Sequence, residues 1–159
     1  MGVTSYLTVD GEILSETRNG VEADYVPDPL GSTAVLIDPT QTITDRFSFW
    51  AYGELRSHTG TSQTPFLYGG TLGYYTDSVY SYVRDRYLGP AQTRWLTVDR
   101  LWPNELLFTY SQSNPASFTD SSGSSPNAND LLPWLISPGG MLLASLGGCS
   151  RPPSKDSSF

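Results

Sequence analysis

Ile13-Leu14-Ser15-Glu16-Thr17-Arg18-Asn19-Gly20-Val21-Glu22-Ala23-Asp24-Tyr25-Val26 is the stretch whose reading decides the fold. Asn19-Gly20 is the strongest short hairpin signal in the chain, because a two-residue type I′ loop needs positive φ at both central positions. The flanks Ile13–Thr17 and Val21–Val26 therefore predict two strands joined at that turn. Outward from this hairpin the same texture continues. Ile43–Trp50 mixes polar and apolar residues at nearly period two, and Val79–Arg84 reads as a strand with one exposed face. Pro27-Asp28-Pro29-Leu30-Gly31 and Asp38-Pro39 mark further turns, where Pro presets φ and Gly supplies positive φ. The expectation up to residue 120 is all-β, with antiparallel hairpin repeats forming a curved sheet.

Composition agrees. Ser and Thr together make 37 of the 159 residues, while the helix formers Ala and Lys are scarce. Aromatic residues reach 13%, more than a disordered chain carries. The net charge of −7 argues against a nucleic-acid binder, which needs a basic face to displace counterions from phosphates. It argues equally against a polybasic membrane-surface protein, and no stretch approaches the ~20 apolar residues of a membrane span. The N-terminus MGVTSYLTVDGE shows no secretory signal pattern. A single cysteine, Cys149, and a single histidine, His58, leave no basis for a disulfide, a cysteine cage or a multi-histidine metal site. No cofactor or metal is expected.

A weak period runs through the first third. Tyr6…Asp10-Gly11, Tyr25…Asp28…Gly31 and Trp50-Ala51-Tyr52-Gly53 each place an aromatic residue a few positions before a turn glycine. The glycines are separated by 20 and then 22 residues, which predicts one hairpin per unit in a repeating sheet. From Ser121 the texture changes to the linker-like Ser121–Asn129, and Leu131–Leu146 is apolar but broken by Pro133, Pro138, Gly139 and Gly140. The domain is therefore expected over 1–123, followed by a variable, poorly ordered tail over 124–159.

Six fragments, in order, carry a family resemblance: Tyr25-Val26-Pro27-Asp28-Pro29-Leu30-Gly31-Ser32-Thr33, Trp50-Ala51-Tyr52-Gly53-Glu54, Pro65-Phe66-Leu67-Tyr68-Gly69-Gly70, Arg86-Tyr87-Leu88-Gly89-Pro90, Thr93-Arg94-Trp95-Leu96-Thr97-Val98-Asp99, and Asn114–Gly123. Residues 25–123 resemble the RHS repeat-associated core of bacterial RHS and YD-repeat proteins, in a divergent and truncated form. The resemblance implies hairpin repeats that spiral into a hollow shell, with the core plugging one end. In that family the shell commonly encloses a toxic C-terminal polypeptide, as in polymorphic toxins, which implies secretion or display at the cell surface within a larger protein. The implied role is structural, and the implied partners are upstream RHS/YD repeats or other copies of the chain.

Many members also cut themselves with two aspartates, and the matching positions are Asp99 and Asp120, with the cut falling near Ser124. Two carboxylates sharing a proton can act as base and acid toward water at one peptide bond. Arg100 and Ser121 stand where the family has Pro, and Ser124 where an apolar residue precedes the cut. Arg100 beside Asp99 is expected to favour the ionised carboxylate and so to oppose a shared proton. The other reading makes Asp99 and Asp120 turn residues that cap local N–H groups.

Three further features have bland alternatives. His58 reads as solvent-exposed in the polar loop Arg56–Thr61. Arg84 and Arg86 would share one strand face, ion-paired and packed on Tyr82 or Tyr87, or would clamp an anion. Tyr74, Tyr75, Tyr80, Tyr82, Tyr87 and Trp95 read as a strand-packing ladder, or as a stacking platform for a carbohydrate partner.

Overall fold

The computed structural model describes residues 2–103 and 106–124. They form two antiparallel sheets and two single 3-10 turns, with no α-helix among the described residues. The first sheet is a six-stranded meander of β1 (Thr4–Val9), β2 (Glu12–Arg18), β3 (Val21–Pro27), β4 (Thr33–Ile37), β5 (Ile43–Phe49) and β6 (Leu55–Thr59), each paired with its sequence neighbour. The second comprises β7 (Tyr75–Asp77), β8 (Tyr80–Val83), β9 (Arg86–Gly89) and β10 (Arg94–Trp95), again in sequence order. The tail expected from 124 onward, with Cys149, lies outside the described residues after Ser124.

Turn chemistry sets the register of the meander. Asn19 and Gly20 have φ of 52° and 81°, and Arg18 pairs with Val21 across the loop. Asp10-Gly11 repeats the arrangement with φ of 52° and 86°. The next three connections share a five-residue design. Asp28 N donates to Ser32 O at 2.7 Å, Asp38 N to Thr42 O at 2.9 Å, and Trp50 N to Glu54 O at 2.8 Å. The fourth residue of each loop (Gly31, Gln41, Gly53) takes positive φ, and a bulge lies in the adjoining ladder. In the first two loops the aspartate Oδ1 caps the turn, accepting from Leu30 N and Ser32 N or from Thr40 N and Thr42 N at 2.8–2.9 Å. The period-20 glycines thus sit in the turns after β1, β3 and β5, at one end of the meander. Their aromatic partners differ in kind: Tyr25 is buried, whereas Tyr6 and Trp50 are exposed.

One face of the meander holds a small core of Ile13, Tyr25, Leu36 and Phe47, covered by Phe66 and Leu67 from the connection after β6. That connection is stitched to the β3–β4 loop. Thr33 N donates to Leu67 O at 2.9 Å, Thr33 Oγ1 to Phe66 O at 2.7 Å, and Thr71 N to Gly31 O at 3.0 Å. The second core gathers Tyr68, Tyr74, Val83, Leu88, Trp95 and Tyr110 behind the short second sheet. Phe49, at the end of β5, packs against both cores and joins the two sheets.

Candidate functional site

The second core is closed by charge. Arg86, the first residue of β9, is buried with its guanidinium stacked 4.2 Å from the Trp95 ring centroid. Its Nη1 lies 2.5 Å from Asp99 Oδ2 as an ion pair without hydrogen-bond alignment, and its Nη2 lies 3.3 Å from Asp120 Oδ2. Its Nε donates to the Gly123 carbonyl. One cation therefore joins two buried carboxylates that are 21 residues apart in the chain. An ion taken out of water needs such partners, since its desolvation penalty is several kcal/mol, about 5 or more.

Each aspartate divides its oxygens. Asp99 Oδ1 accepts from Leu101 N at 2.8 Å. Asp120 Oδ1 accepts from Gly123 N and Ser122 Oγ at 2.9 Å and from Ser122 N at 3.2 Å. The turns match, with Trp102 N reaching Asp99 O and Gly123 N reaching Asp120 O, both at 3.3 Å. The geometry thus contains local turn capping through Oδ1 and convergence of the two aspartates through Oδ2.

Tyrosine hydroxyls hold the second turn from behind. Tyr74 Oη donates to Asp120 O at 2.6 Å and accepts from Asp120 N at 3.2 Å. It also lies 3.2 Å from Tyr110 Oη, which reaches Tyr68 Oη at 3.5 Å; Tyr68 in turn donates to Ala51 O at 3.0 Å. Burial pushes all three phenols above the ordinary tyrosine range. They are kept neutral and available as donors.

Four sequence expectations are revised. Arg100 sends its guanidinium to Asp85 Oδ2 at 2.5 Å, and the cation that meets Asp99 is Arg86. Arg84 and Arg86 do not share a strand face, because Arg84 has φ of 45° in the β8–β9 turn and only Arg86 belongs to a strand. Arg86 packs on Trp95 rather than on a tyrosine. His58 is exposed as expected but lies on β6, not in a loop; its Nε2 is 2.9 Å from the buried Asp45 Oδ1, and its ring stacks on Phe47 at 4.3 Å.

The aromatic set divides between two environments. Tyr74 and Trp95 are fully buried, whereas Tyr75, Tyr80, Tyr82 and Tyr87 stand exposed. Tyr75, Tyr82 and Tyr87 are register partners in one row across β7, β8 and β9. A groove of about 300 Å³ at the seam of the sheets is lined by Phe49, Leu55, Leu67, Val79, Tyr80 and Pro90, away from the aspartates. No cluster of three or more metal-ligating side chains occurs among the described residues. No helix among them is long and apolar enough to cross a membrane.

Sequence reasoning missed Arg86 as the hub, Tyr74 as the support of Asp120, and Asp85 as a partner of the last described residues. A signal for Arg86 was present in the fragment Arg86-Tyr87-Leu88-Gly89-Pro90. Nothing local marks Tyr74 or Asp85.

An all-β hairpin module whose second sheet is sealed by a buried ion cluster is the class that these features define. Neither a family model nor a curated protein sequence matches the chain. Solved Tc toxin structures do match. A chain in the crystal structure of TcdB2-TccC3-Cdc42 superposes on 77% of this chain with a TM-score of 0.66 and 18% identity. The Photorhabdus luminescens Tc holotoxin pore, carrying an aspartate-to-alanine mutation in TccC3, matches over 80% with a TM-score of 0.67 and 16% identity. TcdB2-TccC3 without its hypervariable C-terminal region matches over 77%, with a TM-score of 0.65 and 17% identity. This chain spans 6% of the length of each of those chains. Its fold is RHS-like.

Proposed function

We propose that the chain is a structural module, the terminal segment of a larger RHS-type β-shell. The observation that carries this reading is the open meander. Six strands pair strictly in sequence order, and among the described residues β1 and β6 are the edges of the sheet, each with a strand partner on one side. An exposed edge is a template for further pairing. Upstream repeats would add at β1, while the second sheet and its ion cluster cap the other end. Residues 1–123 act as one unit in this reading, and the chain beyond it is an extension. Light scattering tests it. The isolated chain should run heavier than its 17.4 kDa monomer, and a proline placed within β1, such as Leu7→Pro, should reduce the association. A stable, well-folded monomer sinks the proposal.

A second reading, an aspartyl autoprotease, is favoured by one observation. The Gly123 carbonyl, one residue before Ser124, sits on the guanidinium that meets Asp99 and Asp120. In such a reaction one carboxylate takes a proton from water as its oxygen attacks the carbonyl carbon. The other carboxyl delivers a proton to the leaving amide nitrogen, and the products are a new carboxylate and a new amine. Intact mass of fresh protein, beside Asp99→Asn and Asp120→Asn, decides it. A wild-type mass unchanged over days between pH 4 and 7 removes this reading and leaves the structural one standing.

A further inference from the structure

We propose that the β8–β9 turn is a peptide seat for the exit segment Asp120–Ser124, and that Asp85, oriented by Arg100, selects a small hydroxyl side chain at position 124. Arg84, Asp85 and Arg86 are consecutive, yet each grips a different part of that segment. Arg84 Nη1 donates to the Ser121 carbonyl, and Arg86 donates to the Gly123 carbonyl and pairs with the Asp120 carboxylate. Asp85 Oδ2 accepts from Ser124 Oγ at 2.5 Å. In a regular strand, neighbouring side chains point to opposite faces and could not converge in this way. The positive φ of Arg84 breaks that alternation and turns all three toward one segment.

The seat fits the backbone closely. A Cβ on Gly123 would lie 2.2 Å from Val83 O and 3.3 Å from the amide nitrogens of Asp85 and Arg86. Gly123 also has φ of 73°, so position 123 accepts only glycine without displacement. Position 124 is read by chemistry instead of space. The Asp85 oxygen that accepts from Ser124 also receives Arg100 Nη2 at 2.5 Å, which sets the carboxylate's orientation. Arg100 and Ser124, two of the positions that differ from the RHS-like pattern, therefore meet on one carboxylate. An apolar residue at 124 would leave Asp85 without its hydroxyl partner. Asp85 and Arg100 are positioning residues, and the seat holds whether or not the chain is cut; if it is cut, they define the residue beside the bond.

Hydrogen exchange followed by mass spectrometry on the full chain tests the seat. One peptide should cover 118–124, and another, covering β3 and β4, serves as control. Asp85→Ala and Ser124→Ala should each speed exchange at 121–124 by roughly five- to tenfold. The double variant should be no faster than either single one, and Ser124→Thr should restore protection. The control peptide should be unchanged. Unchanged protection at 121–124 in Ser124→Ala overturns the proposal, as does a double variant whose effect is the product of the two single effects. If Asp85→Ala also speeds the control peptide, Ser124→Ala decides alone, because it removes one hydroxyl from the surface of the seat. Exchange reports seating without reference to cleavage, so its outcome is separable from that of the mass measurement.

Discussion

The two sheets reach order by different routes. The six-stranded meander has strands of five to seven residues. It has a core of four buried apolar side chains, and many of its apolar residues, Leu7, Val9, Val21 and Leu55 among them, remain exposed. The second sheet has strands of two to four residues, too short to stand alone. It is held by fully buried Trp95, Tyr74 and Tyr110 and by an ion cluster drawn from positions 86, 99 and 120. The meander is specified by local turns between sequence neighbours. The second sheet is specified by long-range burial, so the same class of substitution should act unequally in the two.

The largest effect should come from the ion cluster. Arg86→Met leaves two buried carboxylates without their cation and should lower stability by about 3–5 kcal/mol. A urea midpoint close to wild type would mean that the cluster does not hold the second sheet. In the meander, Leu36→Ala removes a fully buried side chain and should lower stability by about 2–4 kcal/mol in the same assay. If it exceeds Arg86→Met, the contrast between the regions is reversed. Gly20→Val, at a turn position with φ of 81°, should weaken the β2–β3 hairpin by about 1–2 kcal/mol, with amide exchange rising first in those strands.

Alkaline pH should separate the regions without mutation. Tyr68, Tyr74 and Tyr110 have phenols raised above the ordinary value, as does Tyr25, all chiefly by burial. A raised folded value contributes stability that is intact below the unfolded value of about 10 and is lost as pH climbs above it. Three of the four phenols lie in the second core, so tyrosinate absorbance should rise together with loss of the tertiary signal of that core. Simple titration with the fold retained would show that burial of these hydroxyls is not coupled to stability. The smallest effect is expected at the surface, where Arg100→Ala should leave the urea midpoint unmoved although it loosens the exit seat. A marked drop in the midpoint would make that pair part of the fold's foundation.

Much of the meander was legible in the chain. Asn19-Gly20, Asp28-Pro29 and Asp38-Pro39 mark three of its turns, and the chemistry that marks them acts within five residues. Asp99 and Asp120 were singled out through their place in a family-like order of motifs, but their common partner was not. The sequence points to an ion-paired Arg86 packed on Tyr82 or Tyr87; the ion pairing is present, but its ring partner is Trp95, and Arg100, the cation nearest to Asp99 in sequence, belongs to Asp85. Nearness in sequence is a poor guide where a turn residue such as Arg84 redirects the side chains beside it. His58 shows the same limit from the other side, since the carboxylate that defines its surroundings comes from the neighbouring strand.

By itself, the sequence determined the all-β class, the hairpin punctuation and the acidic net charge, because turn preference, period and charge are properties of residues and their near neighbours. Tertiary structure alone decided which charges meet. Whether Asp99 and Asp120 stay in separate turns or converge on one guanidinium depends on how β9 and the two loops pack around Trp95. Burial then makes that pairing obligatory, since a carboxylate removed from water must find its cation within the fold.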